Sequence, residues 1–158
     1  MNTQEFTIDC AYNAIDILKI TGNIDHYLKD ERRVLMLLKG RLYFCFHHSG
    51  KFMRFETEII DYLSQLLEAV EMFDSGEIRF DTVSSDWYSD GLELTLVDNG
   101  DRLNVYEKNT GVDYGNIDYL QFKSNLFALI KSIGDDLFAL CPALRNYDIL
   151  VKMFAKCR

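Results

Sequence analysis

The chain has 158 residues, 48% of them hydrophobic, and 25 Asp and Glu against 17 Lys and Arg give a formal net charge of −8. That length and apolar content suit one folded domain over residues 1–158 and argue against a disordered chain. The acidity speaks against nucleic acid as a direct partner, because phosphate binding needs a cationic face.

Other classes fall away on the same reading. The apolar runs are short and broken by charge, so no membrane-spanning helix is expected. The N-terminus, MNTQEF, lacks the basic-then-apolar signature of a signal peptide, and the four cysteines (Cys10, Cys45, Cys141, Cys157) form no C-x-x-C pair. A reducing, cytoplasmic location follows as the expectation.

In chain order, Glu5 to Asp9 reads as a short alternating strand or as a lead-in. From Asp9 to Ile20 the spacing of Cys10, Ala14, Ile17 and Leu18 predicts a helix capped by Asp9 and stopped at Thr21-Gly22. A short helical turn is expected over Asn23 to Lys29. Val34 to Leu38 and Leu42 to His47 read as β-rich, broken at Lys39-Gly40, and Ser49-Gly50 turns the second onto Phe52 to Phe55. Thr57 is placed to cap a helix reaching about Phe73. At 100° per residue its Ile59, Tyr62, Leu63, Leu66, Val70 and Phe73 share one face, while Glu58, Asp61, Glu68 and Glu71 share the other.

A strand is then expected over Glu77 to Ser84, with Ile78, Phe80 and Thr82 alternating. Leu92, Leu94 and Leu96, then Asn99-Gly100, then Leu103 and Val105 make the clearest hairpin of the chain. If Asn99 and Gly100 form the loop, Leu96 faces Leu103 and Leu94 faces Val105, with Glu93/Tyr106 and Thr95/Asn104 on the wet face. Asp118 and Gln121 resemble a capping box for an apolar helix carrying Tyr119, Phe122, Leu126, Leu129, Ile130, Ile133 and Leu137, which Gly134-Asp135-Asp136 could kink. Cys141-Pro142 ends it ahead of a last helix over Ala143 to Lys156. The fold class is therefore α+β: an antiparallel meander packed against helices, with a helical C-terminal segment.

In such a meander the loop Ser85 to Asp90 and the loop Asn109 to Asn116 leave the sheet at one end, gathering Asp86, Trp87, Tyr88, Asp90, Asp113 and Tyr114. Carboxylates supply direction and aromatic rings supply rigid area, which is what a protein partner rich in Lys and Arg requires. Turn chemistry alone also accounts for Asp, Ser and Gly at these positions. Residues 55–120 carry 16 acidic and 3 basic side chains, concentrating the field that would steer a cationic molecule.

No catalytic, cofactor or metal motif is present. His47 and His48 are adjacent in a predicted strand and so point to opposite faces, and Asp98-Asn99-Gly100-Asp101 lacks EF-hand spacing. The glycine-rich phosphate loops and the G-x-S-x-G elbow are absent.

Taken whole, a small acidic α+β chain with the segment SDWYSDGLELTLVDNGDRLNVYEKN resembles the bacterial immunity proteins of contact-dependent and other polymorphic toxin systems. The resemblance is one of type and implies a non-enzymatic inhibitor that binds a cognate toxin domain, often a basic nuclease. Two other readings stand beside it. One is an oligomeric scaffold whose apolar C-terminal helix pairs with a second copy; the other is a small enzyme with a pocket drawing on His26, Cys45 and His47.

Overall fold

A computed structural model describes residues 4–22, 34–84 and 91–158. Two antiparallel sheets carry the fold. The first has the order β1-β2-β3, from Phe6–Tyr12, Lys39–Phe46 and Lys51–Glu58; the second is β4-β5-β6-β7, from Phe80–Val83, Leu92–Val97, Arg102–Glu107 and Val112–Asp118. The α-helices that lie wholly within the described residues are α1 (Ala14–Gly22), α2 (Ile59–Asp74), α3 (Tyr119–Leu140) and α4 (Asp148–Ala155), with a 3-10 turn over Pro142–Asn146. This is the expected α+β class, with residues 6–58 supplying a sheet of their own.

The register of the central hairpin is the one its alternation predicts: Leu94 opposes Val105, Leu96 opposes Leu103, and Glu93/Tyr106 and Thr95/Asn104 oppose on the other face. Ser49-Gly50 lies in the β2–β3 turn, where Gly50 takes φ 70°. The buried face of α2 holds the six predicted apolar residues, together with Ile60, Leu67 and Ala69. Asp118 caps α3 by accepting from the Gln121 N–H at 2.9 Å. The box is not reciprocal, because the Gln121 amide accepts from the Glu5 N–H and the Asp118 N–H goes to Glu5 Oε2.

Six expectations are corrected. Cys10 belongs to β1, and α1 starts only at Ala14, with Asn13 Oδ1 accepting from the Ile15 N–H; the sheet takes the residues that the helical spacing had claimed. Leu18 faces outward, whereas Ile17 and Ile20 are buried. Val34 and Leu35 are helical, and Lys39-Gly40 is inside β2 instead of breaking it. Thr57 ends up in β3 with its hydroxyl buried and, among the described residues, without a hydrogen-bond partner, and Glu58 takes the N-cap position of α2. In β4, Val83 points to the core and Phe80 and Thr82 outward, because the register sets Val83 against Leu92. Finally, Val112–Asp118 is a fourth strand of the meander where a loop is expected. The turn Asn23 to Lys29 lies outside the described residues.

The core fills the space between the sheets and the helices. Phe6 contacts Phe44, Phe46 and Phe122 at ring-centroid distances of 5.4–5.9 Å, while Tyr62 of α2 meets Phe55 edge-on at 4.9 Å. Aromatic pairs of this geometry add about 0.5–1.5 kcal/mol beyond their burial. Helix α3 runs unbroken through Gly134-Asp135-Asp136, and Gly134 is there for contact: a Cβ would meet Phe154 at 2.6 Å. Pro142 starts the 3-10 turn that ends α3. Four contacts clamp the sheets together: Arg102 to Glu5 at 3.1 Å, Glu5 to the Asp118 N–H, Lys51 Nζ to the Asp113 carbonyl, and Phe46 stacked on Tyr114 at 4.7 Å.

Candidate partner-binding face

Alternation in β5 and β6 leaves the meander with one face on the core and one turned to solvent. Across the solvent face, the pairing brings Thr82, Glu93, Tyr106 and Asp113 into one row spanning all four strands. Phe80, Thr95, Asn104 and Asn116 form the next row. Phe80 is 49% exposed, Asp113 and Asn116 are exposed, and Glu93 and Tyr106 are half-buried. Tyr106 thus sits between two carboxylates on neighbouring strands.

The position of Asp113 depends on a bulge. The β6–β7 register shifts between Val105 and Tyr106, so Val105 opposes Gly115 and Tyr106 opposes Asp113, leaving Tyr114 as the extra residue. Gly115 adopts φ 85°, which glycine reaches without a steric penalty. Asp113 Oδ1 accepts from the Gly115 N–H at 2.8 Å and from the Asn104 amide at 3.1 Å, fixing the carboxylate on the open face. Asn104 also donates to Asn116, so a short side-chain ladder stiffens this edge of the row.

Of the six residues the sequence nominates, Asp86, Trp87, Tyr88 and Asp90 lie outside the described residues. The strand ends that flank them are described: β4 stops at Val83, β5 begins at Leu92, β6 ends at Glu107 and β7 begins at Val112. The segment joining β4 to β5 and the turn 108–111 therefore leave the sheet at the same end, as expected. Asp113 is exposed on the open face next to that end.

Tyr114 is a correction. It is only 8% exposed, its ring is stacked on Phe46, and its hydroxyl donates to the buried Glu107 carboxylate at 2.9 Å, because the bulge turns this residue to the core. Burial, reinforced by the hydrogen bond to Glu107 and its charge, pushes the Tyr114 hydroxyl up to about 12. Tyr114 holds the bulge with its ring turned to the core. The aromatic that takes its place on the open face is Tyr106, which alternation alone puts opposite Glu93.

Of the residues named for a pocket enzyme, His26 lies outside the described residues. A cleft of about 770 Å³ is lined, among the described residues, by Tyr12, Asn13, Asp16, Lys39, Arg41 and Glu56 among others, with neither Cys45 nor His47 in it. His47 instead shares a hydrogen bond with Thr7. Cys10 beside this region has its thiol pushed up to about 12 by burial and by Asp9 and Asp136, which keeps it protonated and a poor nucleophile at neutral pH. Among the described residues no His, Cys, Asp and Glu group has the arrangement to hold a metal ion, and no helix is long and apolar enough to cross a membrane. Comparison of the chain with protein-family models, with curated proteins and with solved structures finds no match.

Proposed function

We propose that the chain is a non-enzymatic binding protein that captures a basic protein domain on the open face of its four-stranded meander, in the manner of an immunity protein neutralising a toxin. The observation that carries this reading is the row Thr82, Glu93, Tyr106 and Asp113, which sets an aromatic ring between two carboxylates on a rigid sheet. The surrounding sequence multiplies the charge, with 16 acidic against 3 basic side chains over residues 55–120. Such a face would steer a cationic partner and weaken as salt rises. Asp86, Trp87, Tyr88 and Asp90, in the segment that leaves the sheet at the adjoining end, would extend the contact.

The test uses the purified chain as bait at low and moderate salt, alongside a Glu93→Lys/Asp113→Lys variant. A basic protein retained by the native chain, released by salt, lost to the variant and inhibited by the native chain in its own activity assay is the expected result. Retention that is indifferent to both reversals refutes the assignment of this face.

A further inference from the structure

Edge strands expose main-chain N–H and C=O groups that can pair with another chain, and folded proteins normally blunt them. Three of the four edges here are blunted by side chains aimed at the outward main-chain groups. On β1, Asn125 donates to the Phe6 carbonyl and Asp9 accepts from the Cys10 N–H. On β4, Asp81 accepts from the Thr82 N–H, and Gln65 both accepts from the Ser84 N–H and donates to its carbonyl. On β7, Lys51 takes the Asp113 carbonyl, Arg102 the Asn116 carbonyl and Glu5 the Asp118 N–H.

The fourth edge, β3, is treated differently. The Ile59 N–H bonds to the Leu38 carbonyl in the same register that opposes Glu58 to Lys39, so the odd-numbered residues of β3 face β2. The main-chain groups of Phe52, Arg54 and Glu56 therefore point away from the sheet, and among the described residues nothing bonds to them. All three side chains are exposed, Phe52 at 65%. The strand reads KFMRFETE, basic at its start and acidic at its end.

We propose that β3 is a self-association edge, on which a second copy of this chain adds its own β3 antiparallel to form one continuous sheet. The charge order selects both the occupant and the register. With Phe55 opposite Phe55 of the second copy, Arg54 opposes Glu56 and Glu56 opposes Arg54, and these residues have their main-chain groups free to pair. Shifting the register by one hydrogen-bonded step to either side sets Arg54 against Arg54 or Glu56 against Glu56, which repel. Glu56 already meets Arg41 across β2–β3 at 3.4 Å, so the joined sheet would carry alternating charge: Arg41, Glu56, then Arg54 of the copy. Two eight-residue strands bury less than a standard interface, so the dimer is weak, with Kd of about 10 μM to 1 mM.

Sedimentation across that concentration range tests it, using four proteins: the native chain, Arg54→Glu, Glu56→Arg and the double exchange. The native chain should dimerise, each single reversal should weaken the dimer by about tenfold or more, and the double exchange should restore it. Arg54→Pro is an independent check, because its N–H faces the free edge and proline removes no bond within the sheet; it should remain folded by circular dichroism and be monomeric. A native chain that stays monomeric to about 1 mM overturns the proposal. So does a dimer that ignores both Arg54→Glu and Arg54→Pro, or an edge found to be occupied only by a strand of some other protein.

Discussion

Replacing Tyr114 by Phe removes one oxygen and tests the reasoning about the bulge at atomic scale. The ring remains able to stack on Phe46 at 4.7 Å, so apolar packing is nearly conserved, and the change isolates the bond to Glu107. Glu107 is 3% exposed, and water does not readily replace a donor there. A hydrogen bond to a charged group is worth about 1.5–3 kcal/mol, so Tyr114→Phe should lose that amount at pH 7. Urea unfolding followed by circular dichroism measures it directly. The alkaline limb supplies a second, independent sign. The folded hydroxyl titrates at about 12, above its ordinary value of 10, so the unfolded chain gives up its proton first. Stability then falls as pH rises from 10 toward 12, by up to about 1.4 kcal/mol per pH unit for this group. Tyr12 and Tyr119 are shifted upward as well, by burial and by hydrogen bonds to Asp136 and Asp74, and they add to the same slope. Tyr114→Phe should be less stable at pH 7 yet lose less between pH 10 and 12 than the native chain. An unchanged urea midpoint at pH 7 with an unchanged alkaline slope would show that the Tyr114–Glu107 bond contributes nothing.

Two further substitutions probe the scaffold. Gly40→Ala places a Cβ 2.3 Å from the Ala11 carbonyl oxygen and 2.5 Å from Ile59 Cδ1, and since the first of these is backbone in a paired strand, relief requires β1 to move. Thermal unfolding should show a loss of about 1–3 kcal/mol or more, and an unchanged midpoint would contradict the close approach. Glu5→Gln keeps the shape but removes the charge that Arg102 and the Asp118 N–H address. Burial tends to raise the Glu5 carboxyl, but the Arg102 hydrogen bond and charge and the Asp118 N–H outweigh it and hold it below 4.5. Its contribution is present above pH 4.5 and is lost as pH falls through the lowered value. The variant should therefore be less stable by about 1–2 kcal/mol at pH 7 and converge on the native chain as the pH falls through the lowered value, as read by urea midpoints across that range.

The parts of the fold that local pattern determines were legible in the sequence. Leu92, Leu94, Leu96, Leu103 and Val105 alternate without interruption around Asn99-Gly100, and their register is fixed by which face must be buried. The stripe on α2 is equally unambiguous, at about four turns of consistent spacing from Ile59 to Phe73. The failures occur where two periods compete over few residues. Cys10, Ala14 and Ile17 fit a helix, yet the pairing of Phe6 to Tyr12 with β2 satisfies a whole row of main-chain groups, and the helix can begin only after it. In β4, Ile78, Phe80 and Thr82 are the more apolar set, but four residues of strand carry too little hydrophobic weight to choose their own face, so pairing with β5 chooses it for them.

The surfaces were less legible than the core, for a related reason. Whether Tyr114 faces a partner or the interior depends on one extra residue in β7, and the only local hint is Gly115 two positions after Asp113, where a left-handed φ and a carboxylate acceptor suit a bulge. Whether a strand edge is open depends on residues far away in the chain. Glu5 reaches the Asp118 N–H, Lys51 the Asp113 carbonyl and Asn125 the Phe6 carbonyl, across separations of 113, 62 and 119 residues. None of these contacts leaves a periodic trace, because each needs one side chain of the right length at one place. The unblunted edge of β3 is recognisable only once the other three edges have been seen to be blunted, and its alternating Arg54 and Glu56 then acquire a meaning that the same two residues in an isolated strand would not have.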